Sequence, residues 1–528
     1  MRELVSLRNC ERVLLVILAQ RALSGAWSQF RRLGVRGVYK SFVGAIMRGA
    51  QAAVPGVSGI VEAEKTKALA GLEKDLLGDG DADALVAMPA KGLPAKEVEL
   101  KVTTLRGKEA SKSAGEKRWG GIYHEQESEL TGLQARVWAA CNCTNALYPG
   151  VFPSLRKFEA ELVSMVLGIV HGHEVGAAGL LSSGGTESVL LAALAYREQG
   201  RLRGIARPQI IASLSAHPAI LKACHYFGME LIKVAPDPNT FTLRADLVRP
   251  HLTSSTVAIY SSAPSFSHGV VDPIEELGAL ATEKGIGLHV DNCLGGFLLS
   301  FLQKEGLFTK PWDFAVPGVT SISIDVHKYG CSSKGASVVA FRDASLRALT
   351  YVPSSEGCEG LYVTPTLQGS RSGAVIAAAW ATVVNVGDDG YRHIARDLHG
   401  AHLRLKREVA AMKGIRLCVD ADLAQVPICG DDGVDVYALA TLMEKRGWGV
   451  FTGQKPPTLT IPVGEQTPKH LDAMIEDLRS SLDFLLANPD TKPEGNAAVY
   501  GAAAAIPDEL LDDILRGYVD VLMKVKPA

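Results

Sequence analysis

Between residues 205 and 345, short runs that are almost wholly apolar alternate with segments whose apolar positions recur every three or four residues. The runs predict strands over 210–214, 230–234, 256–260 and 286–290, continuing at 320–324 and 336–341, and the periodic segments predict helices over 219–227 and 274–284. Strands apolar on both faces and joined by helices imply a mostly parallel sheet covered on both sides. Past Tyr351 the pattern changes. Helices over 373–384 and 391–413 and short strands over 416–420, 425–429 and 458–462 predict a smaller α+β domain.

The start of the chain follows neither pattern. Residues 13–19 (VLLVILA) are strongly apolar, but seven residues fall far short of the ~20 that a membrane-spanning helix needs. Arg21, Arg31, Arg32, Arg36, Lys40 and Arg48 follow, interleaved with Trp27, Phe30, Tyr39, Phe42 and Ile46, and no acidic residue occurs between Glu11 and Glu62. Cations and bulky apolar residues at helical spacing suit an amphipathic segment on an anionic membrane surface, or a helical arm packed on a partner subunit. No small-residue cleavage site marks a secretory signal. Residues 103–117 are polar and predict a connector ahead of the main domain.

Composition narrows the function classes. With 528 residues, 47% hydrophobic and 21% charged, the chain has an ordinary globular balance and room for two or three domains. Its 55 basic and 57 acidic side chains leave a net charge of −2, without the basic field of a nucleic-acid binder, so no nucleic-acid partner is expected. Nine cysteines without a regular framework suit a reducing compartment. Cys141 and Cys143 form a C-x-C, but no matching pair follows at zinc spacing; they read as packing residues, and no metal site is expected.

Three segments carry chemistry. Leu181-Ser182-Ser183-Gly184-Gly185-Thr186-Glu187-Ser188 precedes an Ala/Leu-rich helical run, where free backbone N–H groups and absent Cβ atoms make either a phosphate cradle or a simple cap. It is neither a dinucleotide fingerprint nor a P-loop. Leu288-His289-Val290-Asp291 delivers an acid to a strand end, as a catalytic group or a helix cap. Ser321-Ile322-Ser323-Ile324-Asp325-Val326-His327-Lys328 ends another strand-like run in a lysine. A desolvated lysine has a lowered pKa and a neutral amine that attacks carbonyls; the alternative is a lysine reaching solvent. Together the three match what pyridoxal phosphate requires: an amine for its aldehyde, an acid for its ring nitrogen and a helix terminus for its phosphate.

These segments, with Ser215-Ala216-His217, His225-Tyr226-Phe227-Gly228-Met229, Ser262-Ala263-Pro264-Ser265-Phe266-Ser267-His268-Gly269-Val270-Val271-Asp272-Pro273, Cys293-Leu294-Gly295-Gly296-Phe297 and Tyr329-Gly330, resemble the motifs of the sphingosine-1-phosphate lyase family. The resemblance runs in order from about Gly120 to the C-terminus. It implies a type I pyridoxal-phosphate transferase fold, an α/β architecture with a large mostly parallel-sheet domain and a smaller C-terminal α+β domain, working as a homodimer with shared active sites. It implies that Lys328 is the Schiff-base lysine, that Asp291 pairs with the pyridine nitrogen and that His217 stacks on the ring. Gly184, Gly185, Thr186 and His327 would hold the cofactor phosphate. Gly369-Ser370-Arg371 would reach the neighbouring subunit's cofactor phosphate. Lys334, Tyr123, Asn145 and Tyr148 correspond to positions near the substrate phosphate. From spacing alone, Lys334 reads as a surface lysine, and Tyr123 and Asn145 as structural. Cys293 and Cys331 are expected to line the site without acting as nucleophiles.

The implied reaction is retro-aldol cleavage of the Cα–Cβ bond of phosphorylated sphingoid bases to a long-chain aldehyde and phosphoethanolamine. Group II amino-acid decarboxylases share the fold and the order of acid and lysine, so an amino-acid decarboxylase is the alternative. One departure stands out. The family reads Asn-Pro-Leu-His-Pro where this chain has Asn145-Ala146-Leu147-Tyr148-Pro149, so a phenol, uncharged near neutral pH, replaces an imidazole. The expected organisation is a basic and apolar membrane-associated segment (1–60), a helical arm and connector (61–117), the large cofactor-binding domain (118–350), the small α+β domain (351–490) and a tail packing on the dimer (491–528). The resemblance implies an endoplasmic-reticulum membrane location with the catalytic part facing the cytosol; peripheral attachment from the cytoplasm is the alternative.

Overall fold

A computed structural model describes residues 57–78, 80, 84–112, 123–124, 128–358, 360–431, 433–495, 497–498, 500 and 508–527. The apolar run 13–19, the basic stretch after it and Gly121-Ile122 lie outside the described residues. The chain falls into two compact units, Met1–Lys112 with Val499–Ala528, and Ser113–Ala498.

In the first unit, α1 (Val57–Leu77) and α2 (Ala95–Lys112) are joined by a C-terminal helix, Asp508–Leu522. That helix packs on α1 at Gly517, where an added Cβ would lie 2.6 Å from Leu69. Lys524 pairs with Glu73 at 2.5 Å, and Lys526 donates to the Gly78 carbonyl at 2.8 Å. The stretch expected as a connector is helical through Lys112. Its polarity reflects exposure rather than irregular backbone: Leu, Lys, Arg, Glu and Ala are good helix formers, and the Thr103 hydroxyl bonds back to the Glu99 and Leu100 carbonyls at 3.0 Å.

The second unit holds two sheets. Strands β1 (Ala178–Ser182), β2 (Gln209–Ser213), β3 (Glu230–Val234), β4 (Thr256–Ser262), β5 (Gly287–Asp291), β6 (Ser321–Asp325) and β7 (Ser337–Phe341) form one, in the order β1-β7-β6-β5-β4-β2-β3. Strands β3, β2, β4, β5 and β6 run parallel, as the apolar runs predict. β7 is antiparallel to both β6 and β1. Only residues 326–336 connect β6 to β7, and a parallel crossover needs a dozen or more.

Both faces of this sheet are buried. Leu180, Ile210, Ala258 and Val339 face one core, while their neighbours Leu181, Ile211, Ile259 and Val338 face the other, the period of two expected of a strand. On the unit's other elements, α3 (Glu129–Cys141) and α4 (Pro153–Gly168) precede the sheet; α5 (Gly185–Leu202) and α6 (Ala219–Tyr226) fill the first core, and α7 (Ile274–Lys284) and α8 (Gly296–Lys304) the second. The two helices expected after Gly373 form one segment, α9 (Gly373–Ala410), interrupted at Gly387, whose φ of 64° breaks the helical path. A smaller antiparallel sheet follows, in the order β10-β11-β9-β8, from β8 (Ile415–Leu417), β9 (Gln425–Gly430), β10 (Phe451–Gln454) and β11 (Pro457–Pro462), with α10 (Val436–Lys445) and α11 (Thr467–Ala487). β10 has no apolar run and was not expected. Because β1, β5 and β6 share one direction, Ser182, Asp291 and Asp325 end on the same edge of the large sheet, where ligands of open α/β sheets collect.

Candidate active site

Ser183-Gly184 turns the chain from β1 into α5. Gly184 has φ 156°, a backbone that residues with a Cβ rarely adopt, and an added Cβ would meet His327 at 3.2 Å. A Cβ on Gly185 would lie 2.7 Å from Cys293 Sγ and 2.8 and 2.9 Å from the two carboxylate oxygens of Asp325. The helix start therefore presses against the ends of β5 and β6. Its ladder opens with the Ser188 N–H on the Gly184 carbonyl at 3.0 Å, which leaves the N–H groups of Gly185, Thr186 and Glu187 outside it, as at any helix start. Glu187 is buried and accepts from the Ser183 N–H at 2.6 Å and, through its other oxygen, from the Leu367 N–H at 3.0 Å.

Asp291 ends β5 fully enclosed. Its Oδ2 accepts the Tyr260 hydroxyl, and its Oδ1 accepts the Cys293 N–H at 3.1 Å and the Ser323 hydroxyl at 3.2 Å. Burial pushes this carboxyl up, but the charge of His217, the Tyr260 hydrogen bond and the Lys328 ammonium outweigh it and hold it below the usual carboxylate range. His217 follows β2; its Nδ1 accepts the Ala219 N–H at 3.2 Å, and its ring meets Phe266 edge-on at 6.3 Å. His289, beside Asp291, is pushed down to about 4 by burial and stays neutral near pH 7.

Lys328 lies 3.1 Å from Asp325 Oδ2. Burial lowers the lysine, but the opposite charge of Asp325 outweighs it and raises Lys328 above its ordinary value. The expectation of a lysine with lowered pKa is corrected here: it considered burial without this carboxylate. For Asp325, burial acts upward and loses to Lys328 and His327, which hold it far below the usual range. His327 Nδ1 accepts the Ala336 N–H at 3.2 Å, so Nε2, 3.4 Å from Asp325, carries the proton.

Gly184, Gly185, Thr186, His217, Asp291, His327 and Lys328 line one cavity of about 370 Å³, within the range of small-molecule sites. The residues fit pyridoxal phosphate on grounds independent of any motif. A helix start opened by Gly184 and Gly185 faces one end, an ionised acid and a charged lysine line the wall, and the buried Asp325 Oδ1 has no hydrogen-bond partner among the described residues.

Tyr123 and Lys334 lie beside this wall. Lys334 donates to the His327 carbonyl at 3.1 Å and sits 4.6 Å over the Tyr123 ring; burial, then the Lys328 charge, lowers its pKa. Asn145, Gly369 and Ser370 come together elsewhere. Asn145 donates to Ser370 Oγ at 2.9 Å and accepts the Arg371 N–H at 3.2 Å, while Arg371 forms a two-pronged pair with Glu159. These residues are not part of the cavity lining, and Tyr148 is 55% exposed in the adjoining turn. Cys293 lines the cavity, its thiol pushed far up by burial; Cys331 is pushed up to about 12 by burial, so neither is a thiolate nucleophile. Cys143 is exposed, so the packing role does not hold for it.

Three residues escaped the sequence reading. Asp325 ends a strand as Asp291 does, and the same argument would have found it. Glu187 stands at the third helical position, where an acid reaches back to cap the turn. Tyr260 carried no local signal.

The model of the pyridoxal-dependent decarboxylase conserved domain matches residues 123–429. The chain is similar to the sphingosine-1-phosphate lyase of Saccharomyces cerevisiae, at 34% identity over 480 residues covering 90% of this chain and 82% of that protein. Among solved structures it is similar to a sphingosine-1-phosphate lyase of Burkholderia pseudomallei (TM-score 0.73, 34% identity, 81% of this chain and 97% of that one). A glutamate decarboxylase of Lactobacillus brevis is similar in fold (TM-score 0.67, 21% identity, 76% of this chain and 95% of that one).

The Lys328–Asp325 pair makes a testable demand on the cofactor-free protein. The lowered Asp325 contributes stability that is complete above ~3.9 and lost as pH falls through its folded value; the raised Lys328 contributes stability that is complete below ~10.4 and lost as pH rises through its folded value. Asp325→Asn should therefore cost about 3–5 kcal/mol between those limits, a penalty shrinking below pH ~4, as read by urea unfolding across pH.

Proposed function

The chain belongs to the sphingosine-1-phosphate lyase family and has the type I pyridoxal-phosphate fold, and we propose that it cleaves the Cα–Cβ bond of phosphorylated sphingoid bases of the sphingosine 1-phosphate type to a long-chain aldehyde and phosphoethanolamine. The observation that carries this reading is the convergence of a charged lysine, an ionised strand-end acid and a bare helix start on one cavity. Pyridoxal phosphate, when bound, supplies a ring that takes up the electron pair left on the substrate Cα.

The chain's own groups do the rest. The α5 N–H groups, Thr186 and His327 hold the cofactor phosphate, and Lys328 holds its aldehyde. Asp291 keeps a proton on the ring nitrogen, and His217 covers the ring face. When Lys328 is not joined to the aldehyde, Asp325 would hold its amine as the ammonium, a proton source at Nζ. Lys334 and Tyr123 receive the substrate phosphate: Lys334 is depressed by burial and by the like charge of Lys328, a state that a bound anion relieves. By anchoring that end of the substrate, they set which bond stands perpendicular to the ring. Residues 118–350 act as the cofactor-binding domain and 351–490 as the smaller partner domain.

The enzyme works as a homodimer on this reading, with Gly369 and Ser370 reaching the neighbour's cofactor phosphate, Asn145 bracing that loop and Tyr148 completing the substrate end. Supporting it, the segment before that loop exposes Val352 (76%) and Leu361 (87%), apolar groups suited to a partner surface. Residues 1–60 hold it at the cytosolic face of the endoplasmic-reticulum membrane. Among the described residues no helix is long and apolar enough to cross a membrane.

Three measurements test this. Purified protein supplied with pyridoxal phosphate should convert a phosphorylated sphingoid base to aldehyde and phosphoethanolamine, and Lys328→Ala should fall to background; carbon dioxide released from common amino acids, with no aldehyde, would make it a decarboxylase. Tyr148→His should keep or raise turnover, and a large loss would mean that the phenol has its own task. A high-salt wash should release the intact chain from anionic vesicles if contact is electrostatic, whereas retention would indicate insertion.

A further inference from the structure

We infer that Tyr260 is a positioning residue for the reaction: its hydroxyl, donated from β4 to Asp291, keeps that carboxylate anionic and aimed at the cofactor's ring nitrogen. The inference rests on Asp291 being the partner of that nitrogen.

Tyr260 is 1% exposed and stands in register with His289 on the neighbouring strand. The two rings stack at 5.4 Å and 29°, which directs the phenol along the strand to Asp291, two residues further on. A buried phenol hydroxyl requires an acceptor, and here the acceptor is the Asp291 oxygen that neither Cys293 nor Ser323 engages. The donor at the other oxygen is itself oriented from the sheet interior. Tyr196 lies 2.6 Å from Ser321, Ser321 2.8 Å from His289 Nδ1, and His289 Nε2 3.2 Å from Ser323. One assignment gives every group a donor: Tyr196 to Ser321, Ser321 to His289 Nδ1, His289 Nε2–H to Ser323, and Ser323 to Asp291. Both routes end with an O–H on the same carboxylate.

Charge and hydrogen bonding share this task at Asp291, with His217 first and the Tyr260 hydroxyl next. His217 and Lys328 attract its negative charge, but Lys328 is already shared with Asp325. His289 is neutral, and the Cys293 thiol is held protonated by burial. Behind Tyr260, Asp272 is bonded to the N–H groups of Leu243 and Ser262. The phenol is pushed well above its ordinary value by burial and by Asp291, so it donates without competing for the charge. Without this donor the enclosed anion loses one charge-assisted bond and accepts a proton at higher pH. An acid that is already protonated cannot hold a proton on the ring nitrogen.

The test follows cofactor binding, not turnover. Apo-protein of full length is titrated with pyridoxal phosphate by fluorescence quenching from pH ~3 to ~7, a range that reaches down to the lowered Asp291 carboxyl, and the dissociation constant is plotted against pH. Ionisation of the cofactor phosphate affects every variant alike. Tyr260→Phe should move the pH at which affinity falls away upward by about one unit, equivalent to about a tenfold change in affinity on the falling limb. Incorporating 3-fluorotyrosine at position 260, a more acidic donor of nearly the same shape, should move it downward. A Phe variant with lower thermal stability and a superimposable profile would reduce Tyr260 to packing and overturn the inference. Should Tyr260→Phe fail to fold, an unmoved profile for the fluorotyrosine protein overturns it alone. If the unaltered chain binds no pyridoxal phosphate at any pH, the cofactor assignment itself fails.

Discussion

Two carboxylates at the ends of neighbouring strands, Asp291 and Asp325, have to remain ionised inside one enclosed cavity, and much of the surrounding arrangement answers that demand. Burial acts to protonate both. The two are stabilised by different means. Asp325 has the Lys328 ammonium at 3.1 Å and the His327 Nε2–H at 3.4 Å. Asp291 has three hydrogen-bond donors and more distant charges. On the proposed reading, the division suits the chemistry. A carboxylate that steadies a mobile amine benefits from a charge pair that can be broken, whereas one that serves a fixed ring nitrogen benefits from rigid donors anchored in the sheet.

Small residues set the distances in this design. Gly185 brings the start of α5 against Cys293 and Asp325, closer than any side chain would permit. The reversed β7 contributes as well. It runs back between β6 and β1, so the turn carrying His327 and Lys328 and the helix start after β1 face each other across a single strand's width.

Much of this was legible in the chain. The apolar runs located β2 to β6 to within a residue or two, and strand ends are where open α/β sheets present their chemistry, so Asp291 and Lys328 could be named before any geometry was known. What escaped depends on register. Tyr260 reaches Asp291 only because β4 and β5 pair as Tyr260 with His289, a fact set by the helix between them and by packing across the sheet. Asn145 and Ser370 meet across 225 residues, with nothing local in either segment to indicate the contact. The lysine's pKa was misread for a related reason: desolvation can be judged from an apolar run, but the sign of a buried group's shift depends on which charge faces it. β10, half-buried and without alternation, and the polar residues of α2 show the same limit from the side of secondary structure.

Glu187 links two regions that would otherwise behave independently. One of its oxygens clasps the turn that opens the helix start, and the other clasps the backbone at Leu367, two residues ahead of the Gly369-Ser370 loop. Rotation of that one carboxylate disturbs both hydrogen bonds. Any coupling that this carboxylate carries between the cavity and the loop is reciprocal: ordering the loop would favour retention of the vitamin-derived group by the same factor that loading the cavity would favour the ordered loop.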